Sequence, residues 1–231
     1  MTMPILLVPG LACSPRLFGE QIPALWRLGP VMVADHTHGE TISEIAAQIL
    51  ASAPPRFALV GMSMGGYIAF EIMRQAKDRV SKLALIDTSA RADTSEATEQ
   101  REAQIRITQG GKFAAVIDAQ FARMVHPSHR EDEKLKAIVH AMADDVGPDV
   151  FVRQQKAIIA RPDSRPSLAA IRCPTLVIVG EADEITPPDR AAEMAEGISG
   201  ARLVTLKNCG HLTTHEDAAG VNRSLAALLQ A

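Results

Sequence analysis

Three residues far apart in the chain, Ser63, Asp183 and His211, carry the side chains that nucleophilic catalysis combines. A serine hydroxyl is a poor nucleophile at its own pKa, so it needs a base to take its proton and a third group to hold that base in the right tautomer. Ser63 is the centre of Gly61-Met62-Ser63-Met64-Gly65-Gly66, a G-x-S-x-G pattern. The apolar run Phe57–Val60 precedes it and the helix-like stretch Tyr67–Gln75 follows. A strand turning so abruptly into a helix strains the central residue and stands its side chain clear of the sheet. Glycine is needed on both flanks, because a Cβ there would meet the neighbouring strand and helix. The hydroxyl then sits at a helix N-terminus, where the dipole favours the negative charge that develops during acyl transfer. A Gly/Ser cluster alone also describes an ordinary turn; the strand before, the helix after and two downstream partners favour the chemical reading.

The elements that must deliver these residues follow from apolar periodicity. Short continuous apolar runs at Ile5–Val8, Val31–Ala34, Phe57–Val60, Val80–Ile86, Thr175–Val179 and Ala201–Leu206 read as strands buried on both faces. Helical spacing between them, at Leu17–Leu28, from Thr41 to before Pro54, at Tyr67–Gln75 and at His215–Leu229, predicts parallel β-α-β units. Thr41 with Glu44 forms a capping box, and Thr186 with Pro187 reads as a cap followed by proline at the first helical position. The alternation breaks over residues 90–166, where only helical patterns occur, with Phe113, Val116, Ile117, Phe121 and Met124 on one face and Leu135, Ile138, Val139 and Met142 on another. The predicted architecture is one α/β domain over residues 1–231, with a sheet of about six strands and an all-helical insertion at 90–166. Functional residues in such sheets gather at the C-terminal strand edges. Leu11, Ser63, Asp183 and His211 all fall there. So does Asp87, which competes with Asp183 for the acid role; Asp183 is favoured.

Composition narrows the partners. The chain of 231 residues is 47% hydrophobic and carries a net charge of −3, which gives no electrostatic case for nucleic acid or an anionic membrane and points to a small-molecule partner. Cys13, Cys173 and Cys209 are an odd number without framework spacing, so a reducing, cytoplasmic setting is expected. The apolar N-terminus lacks a basic leader and runs at once into Pro9-Gly10, as a core strand would, and no apolar stretch approaches the ~20 residues of a membrane span. Oligomeric state, monomer or dimer, is left open. His36 and His38 lack a third ligand, so neither a metal nor a cofactor is expected. His215 reads as structural, Glu181 and Glu184 as solvent-facing, and Cys13 and Cys209 as small buried hydrophobes.

The order Ser63, Asp183, His211, each after a strand, resembles the α/β-hydrolase superfamily, in particular its carboxylesterase-like members with a helical cap. The resemblance spans essentially the whole chain. It rests on Gly61–Gly66, on Gly180-Glu181-Ala182-Asp183-Glu184-Ile185-Thr186-Pro187 and on Asn208-Cys209-Gly210-His211. It implies a serine esterase with an oxyanion hole made by two backbone N–H groups, that of Met64 and, where the family's His-Gly start is here Pro9-Gly10, that of Leu11. It also implies a cap over an apolar pocket suited to a hydrophobic ester, with Phe113, Phe121, Met124 and Met142 as candidate lining. The same triad serves C–C bond hydrolysis, lactone opening and perhydrolysis in this fold. A non-catalytic ligand receptor is the reading from another class. Serine at position 63 argues against haloalkane dehalogenases, which carry aspartate there.

Overall fold

A computed structural model describes residues 2–231. Six strands form one parallel sheet: β1 (Ile5–Val8), β2 (Val31–Val33), β3 (Phe57–Met62), β4 (Val80–Ile86), β5 (Thr175–Gly180) and β6 (Arg202–Leu206), in the order β2-β1-β3-β4-β5-β6. Successive residues of β1 serve opposite faces, Ile5 and Leu7 in one apolar core and Leu6 and Val8 in the other. Burial on both faces is why the strands read as unbroken apolar runs. β3 runs two residues past the predicted strand because Gly61 and Met62 keep pairing with Leu85 and Ile86 of β4. Ser63 is thereby carried to the rim.

The helices are α1 (Gln21–Trp26), α2 (Ile42–Ser52), α3 (Met64–Ala76), α4 (Ser95–Gln109), α5 (Phe113–Met124), α6 (Glu133–Val146), α7 (Pro148–Ile159), α8 (Pro188–Gly197), α9 (Thr213–Glu216) and α10 (Ala218–Gln230). Three local expectations are corrected. The helix expected over Leu17–Leu28 divides into a 3-10 turn, Pro15–Phe18, and α1, with Gly19 between them. Thr186 does not cap α8: Pro188 occupies the first turn and forces Pro187 into extended backbone (φ −55°, ψ 157°). The last helix breaks at Asp217, whose carboxylate takes the Gly220 N–H at 2.8 Å and starts α10 afresh. At α2, Thr41 Oγ1 accepts the Glu44 N–H at 3.1 Å, while Glu44 reaches back to the Glu40 N–H at 2.8 Å, one residue beyond the expected box.

Between β4 and β5 lie α4 to α7, which close on one another, α4 against α5 and α7, and α6 against α5 and α7. This helical unit is tied to the sheet domain by Arg161, stacked 4.2 Å from the Tyr67 ring of α3, and by Glu216 at the end of α9. Glu216 accepts from the backbone N–H groups of His126 and Gly210 and from His129 Nδ1 at 2.6–2.9 Å, so one buried carboxylate joins the insertion to the loop bearing His211. Among the described residues no helix is long and apolar enough to cross a membrane.

Candidate active site

Ser63 adopts φ 54° and ψ −116°, a backbone conformation that side-chain-bearing residues rarely hold. The contacts around it leave the chain little choice. A Cβ on Gly65 would lie 2.0 Å from the Val8 carbonyl oxygen, and one on Gly61 would lie 2.3 Å from that of Gly65. The strain is held by Ser63 N–H donating to the Ile86 carbonyl at 2.9 Å and by Thr88 Oγ1 donating to the Ser63 carbonyl at 2.7 Å.

The three separated residues meet at this rim. Ser63 Oγ lies 2.8 Å from His211 Nε2, and His211 Nδ1 lies 2.8 Å from Asp183 Oδ2. Both His211 and Asp183 are buried, at 3% exposure. Asp183 Oδ1 accepts the N–H groups of Ile185 (2.8 Å) and Thr186 (2.9 Å), and Oδ2 accepts Thr186 Oγ1–H at 2.8 Å as well as the imidazole. Thr186 thus orients the acid instead of capping the helix. Burial by itself would push the Asp183 carboxyl up, but the His211 charge and the donated hydrogen bonds outweigh it and hold the group below its ordinary range. Burial likewise pulls His211 down, and the Asp183 carboxylate, helped by Glu216, lifts it above its usual value.

Asp87, the competing acid, is wholly buried at φ 43° and faces elsewhere: it accepts the Gly180 N–H at 3.1 Å and the Thr213 hydroxyl at 2.6 Å. Burial, and then the nearby Asp183 charge, push its carboxyl well above the ordinary range. Two carboxyl groups in one dry pocket are pushed apart in this way, one ionised against the histidine and the other driven toward neutrality.

A cavity of about 160 Å³ opens beside Ser63 and His211. Of the four residues expected to line it, only Met124 does so. Phe121 and Met142 are buried in the apolar core, and Phe113 packs against Phe151 with ring centroids 5.2 Å apart. Those apolar stripes join the helices to each other, as most amphipathic faces do. From the insertion, the wall takes Ala97, Gln100, Arg101 and Gln104 of α4 and Gln120 and Arg123 of α5. Their spacing of three and four residues was visible in the chain as a polar helical face, a signal that a search for apolar stripes passes over. The cavity thus joins an apolar share, from Leu11, Met62, Tyr67, Met124, Ile158 and Ile185, to a polar roof, and has no carboxylate in its lining. Arg101 is committed to Asp93 (2.7 Å) and Gln155 (2.8 Å), which leaves Arg123, exposed on the last turn of α5, as the cation able to turn toward a ligand.

The other candidates have plain places. The Leu11 residue lines the cavity, and Met64 opens α3, where its N–H has no acceptor within the helix. Cys13 and Cys209 are buried free thiols, each pushed up to about 12, chiefly by burial, and so lie far from thiolate chemistry at neutral pH. Glu181 accepts the Asn208 N–H at 2.6 Å and Glu184 pairs with Arg130 at 3.1 Å, both near solvent. His215 sits within α9, where burial depresses its pKa. His36 is buried against the Gly10 carbonyl and His38 faces Asp35 at 3.5 Å; among the described residues no group of three or more His, Cys, Asp or Glu is arranged to hold a metal.

A parallel six-stranded sheet with Ser63 on a strained strand-to-helix turn defines a class, and the family comparison agrees: the chain matches the alpha/beta hydrolase family model over residues 5–224 and belongs to that family. Among curated proteins it is similar to the pimeloyl-[acyl-carrier protein] methyl ester esterase of Vibrio parahaemolyticus, 26% identical over 80% of this chain and 75% of that one. Among solved structures it is similar to a thermophilic esterase from Thermogutta terrifontis, at 29% identity and a TM-score of 0.89 over 99% of this chain and 89% of that one. The enol-lactonase of Burkholderia xenovorans shares the fold, with a TM-score of 0.90 at 24% identity over 100% of this chain and 92% of that one.

Proposed function

We propose that the protein is a serine hydrolase that cleaves a small carboxylic ester through an acyl-enzyme on Ser63. The observation carrying this reading is the unbroken chain Ser63 Oγ, His211 Nε2, His211 Nδ1, Asp183 Oδ2, with both links at 2.8 Å. In the first half-reaction Ser63 Oγ attacks the ester carbonyl while its proton passes to His211 Nε2, and Asp183 balances the imidazolium. The N–H groups of Leu11 and Met64 receive the oxyanion, a pair in which each donor is worth about 10²–10³ in turnover. Collapse expels the alcohol, which takes the proton from His211. In the second half-reaction a water attacks the acyl carbon while giving its proton to His211; collapse breaks the bond to Ser63 Oγ, which takes that proton back from His211 as the acid leaves.

The helices over residues 90–166 act as a cap in this scheme. Their glutamines and Arg123 would contact the part of the substrate remote from the scissile bond while Met124, Ile158 and Ile185 pack an apolar portion, so an ester that joins an apolar body to a polar or anionic far end suits the cavity. A small molecule is the expected partner, and the free thiols suit a reducing compartment such as the cytoplasm.

A second reading keeps the triad and changes the bond: the same polar roof could grip the carbonyl oxygens of a diketone or lactone. A panel of activated esters, lactones and β-diketones separates the two by relative kcat/KM. For the hydrolase reading itself, an activated ester should give a burst of alcohol and Ser63→Ala should lose most turnover. Wild-type rates in Ser63→Ala would refute it, and failure of the wild-type protein to react with a fluorophosphonate would favour a ligand receptor on this fold.

A further inference from the structure

We propose that His36 is a positioning residue that aims the Leu11 N–H at the reacting oxygen by holding the other end of the same peptide unit. The proposal rests on the serine-hydrolase reading above. His36 follows β2, is 3% exposed, and places Nε2 at 2.8 Å from the Gly10 carbonyl oxygen. A carbonyl can only accept, so Nε2 carries the proton. Burial outweighs the Gly10 bond and the Asp35 charge and keeps the ring neutral, which leaves Nδ1 bare and fixes the tautomer.

The carbonyl of Gly10 and the N–H of Leu11 are opposite ends of one planar amide. Pinning the oxygen therefore sets the direction of the N–H. A hydrogen bond accepted at the oxygen also polarises the amide and makes its N–H a better donor. This amide stands beside the nucleophile, for a Cβ on Gly10 would lie 3.3 Å from Ser63 Cβ. The loop beyond it is not at rest unaided: Ala12 holds φ 55°. A second clamp acts there, as Gln154 of α7 accepts the Ala12 N–H at 3.0 Å and donates to the His36 carbonyl at 3.3 Å. His36 and Gln154 thus brace the loop from the sheet and from the insertion. A buried histidine that merely satisfied a carbonyl would contribute to folding alone. One that aims the oxyanion donor would contribute to the transition state.

The test uses full-length His36→Leu, His36→Gln and His36→Asn with p-nitrophenyl acetate, alongside thermal midpoints. In His36→Leu, kcat should fall about 10- to 100-fold with KM held within about twofold, short of the full loss of a donor. Glutamine, whose Nε2–H can reach the same point, should restore kcat to within about threefold, whereas the shorter asparagine should not. A trifluoromethyl ketone, which presents a tetrahedral oxyanion, should lose affinity in step with kcat. The proposal is overturned if His36→Leu keeps its kcat, or if His36→Gln fails to restore it with an unchanged thermal midpoint. Should His36→Leu fail to fold, equal kcat values in the glutamine and asparagine variants overturn it. A wild-type protein inert to both ester and fluorophosphonate would take the hydrolase reading down, and this inference with it. An active wild type with indifferent His36 variants sinks this inference alone.

Discussion

Replacing Asp183 by asparagine tests the relay at its least exposed link. Oδ1 of Asp183 accepts two backbone N–H groups, from Ile185 at 2.8 Å and Thr186 at 2.9 Å. An asparagine in the same rotamer must put its carbonyl oxygen there, because an amide nitrogen facing two donors would be costly. Its NH₂ group then occupies the Oδ2 position, 2.8 Å from His211 Nδ1. Thr186 Oγ can turn its hydrogen away and accept, so no clash forces a flip. The imidazole must instead present a bare Nδ1 to the amide and carry its proton on Nε2, pointing at Ser63 Oγ. In that tautomer it cannot accept the serine proton. Loss of the correct tautomer costs about 10⁴ in kcat, or about 5 kcal/mol of transition-state stabilisation, with little change in fold. Burst kinetics with an activated ester across pH, together with the rate of fluorophosphonate labelling, give the measurement. A variant retaining more than about a tenth of wild-type kcat would refute the tautomer argument, since no other base adjoins Ser63 Oγ among the described hydrogen bonds.

The pH dependence has opposite signs for activity and for the stability contributed by His211. The base must be neutral, so kcat/KM should rise through a pKa lying above the ordinary 6.5, lifted by Asp183 against the pull of burial. A folded pKa above the unfolded value gives stability that is fully present below about pH 6.5 and lost as pH rises through the folded pKa. Rate profiles and thermal midpoints over that window should therefore move in opposite directions; an acid limb centred below pH 6.5 would contradict the ion pair. For the cavity roof, Arg123→Gln should lower kcat/KM for a half-ester of a dicarboxylic acid about two- to fivefold relative to the neutral diester, the scale of an exposed ion pair. Equal effects on both substrates would remove Arg123 from recognition.

The residues able to react, and the strand ends that carry them, are legible in the chain itself. Gly61 and Gly65 around Ser63, and apolar runs that stop shortly before Asp183 and His211, are local signals, because elbow and strand are both set by nearest-neighbour sterics and two-sided burial. The parallel sheet follows from the alternation of those runs with helical periods. What only the tertiary structure decided is how the distant surfaces face one another. Phe121 and Met142 turn into the core while Gln100, Gln104 and Arg123 turn to the cavity, since an amphipathic period says that a face is buried but not what it is buried against. Asp183 and Asp87 look alike as acids after strands; contact with Thr186 and His211 on one side and with Gly180 and Thr213 on the other separates them. His36 against Gly10, 26 positions away, and Gln154 against Ala12, 142 positions away, have no signature in spacing at all. Such pairings arise where strand ends and the insertion converge, and the chain acquires them only by folding.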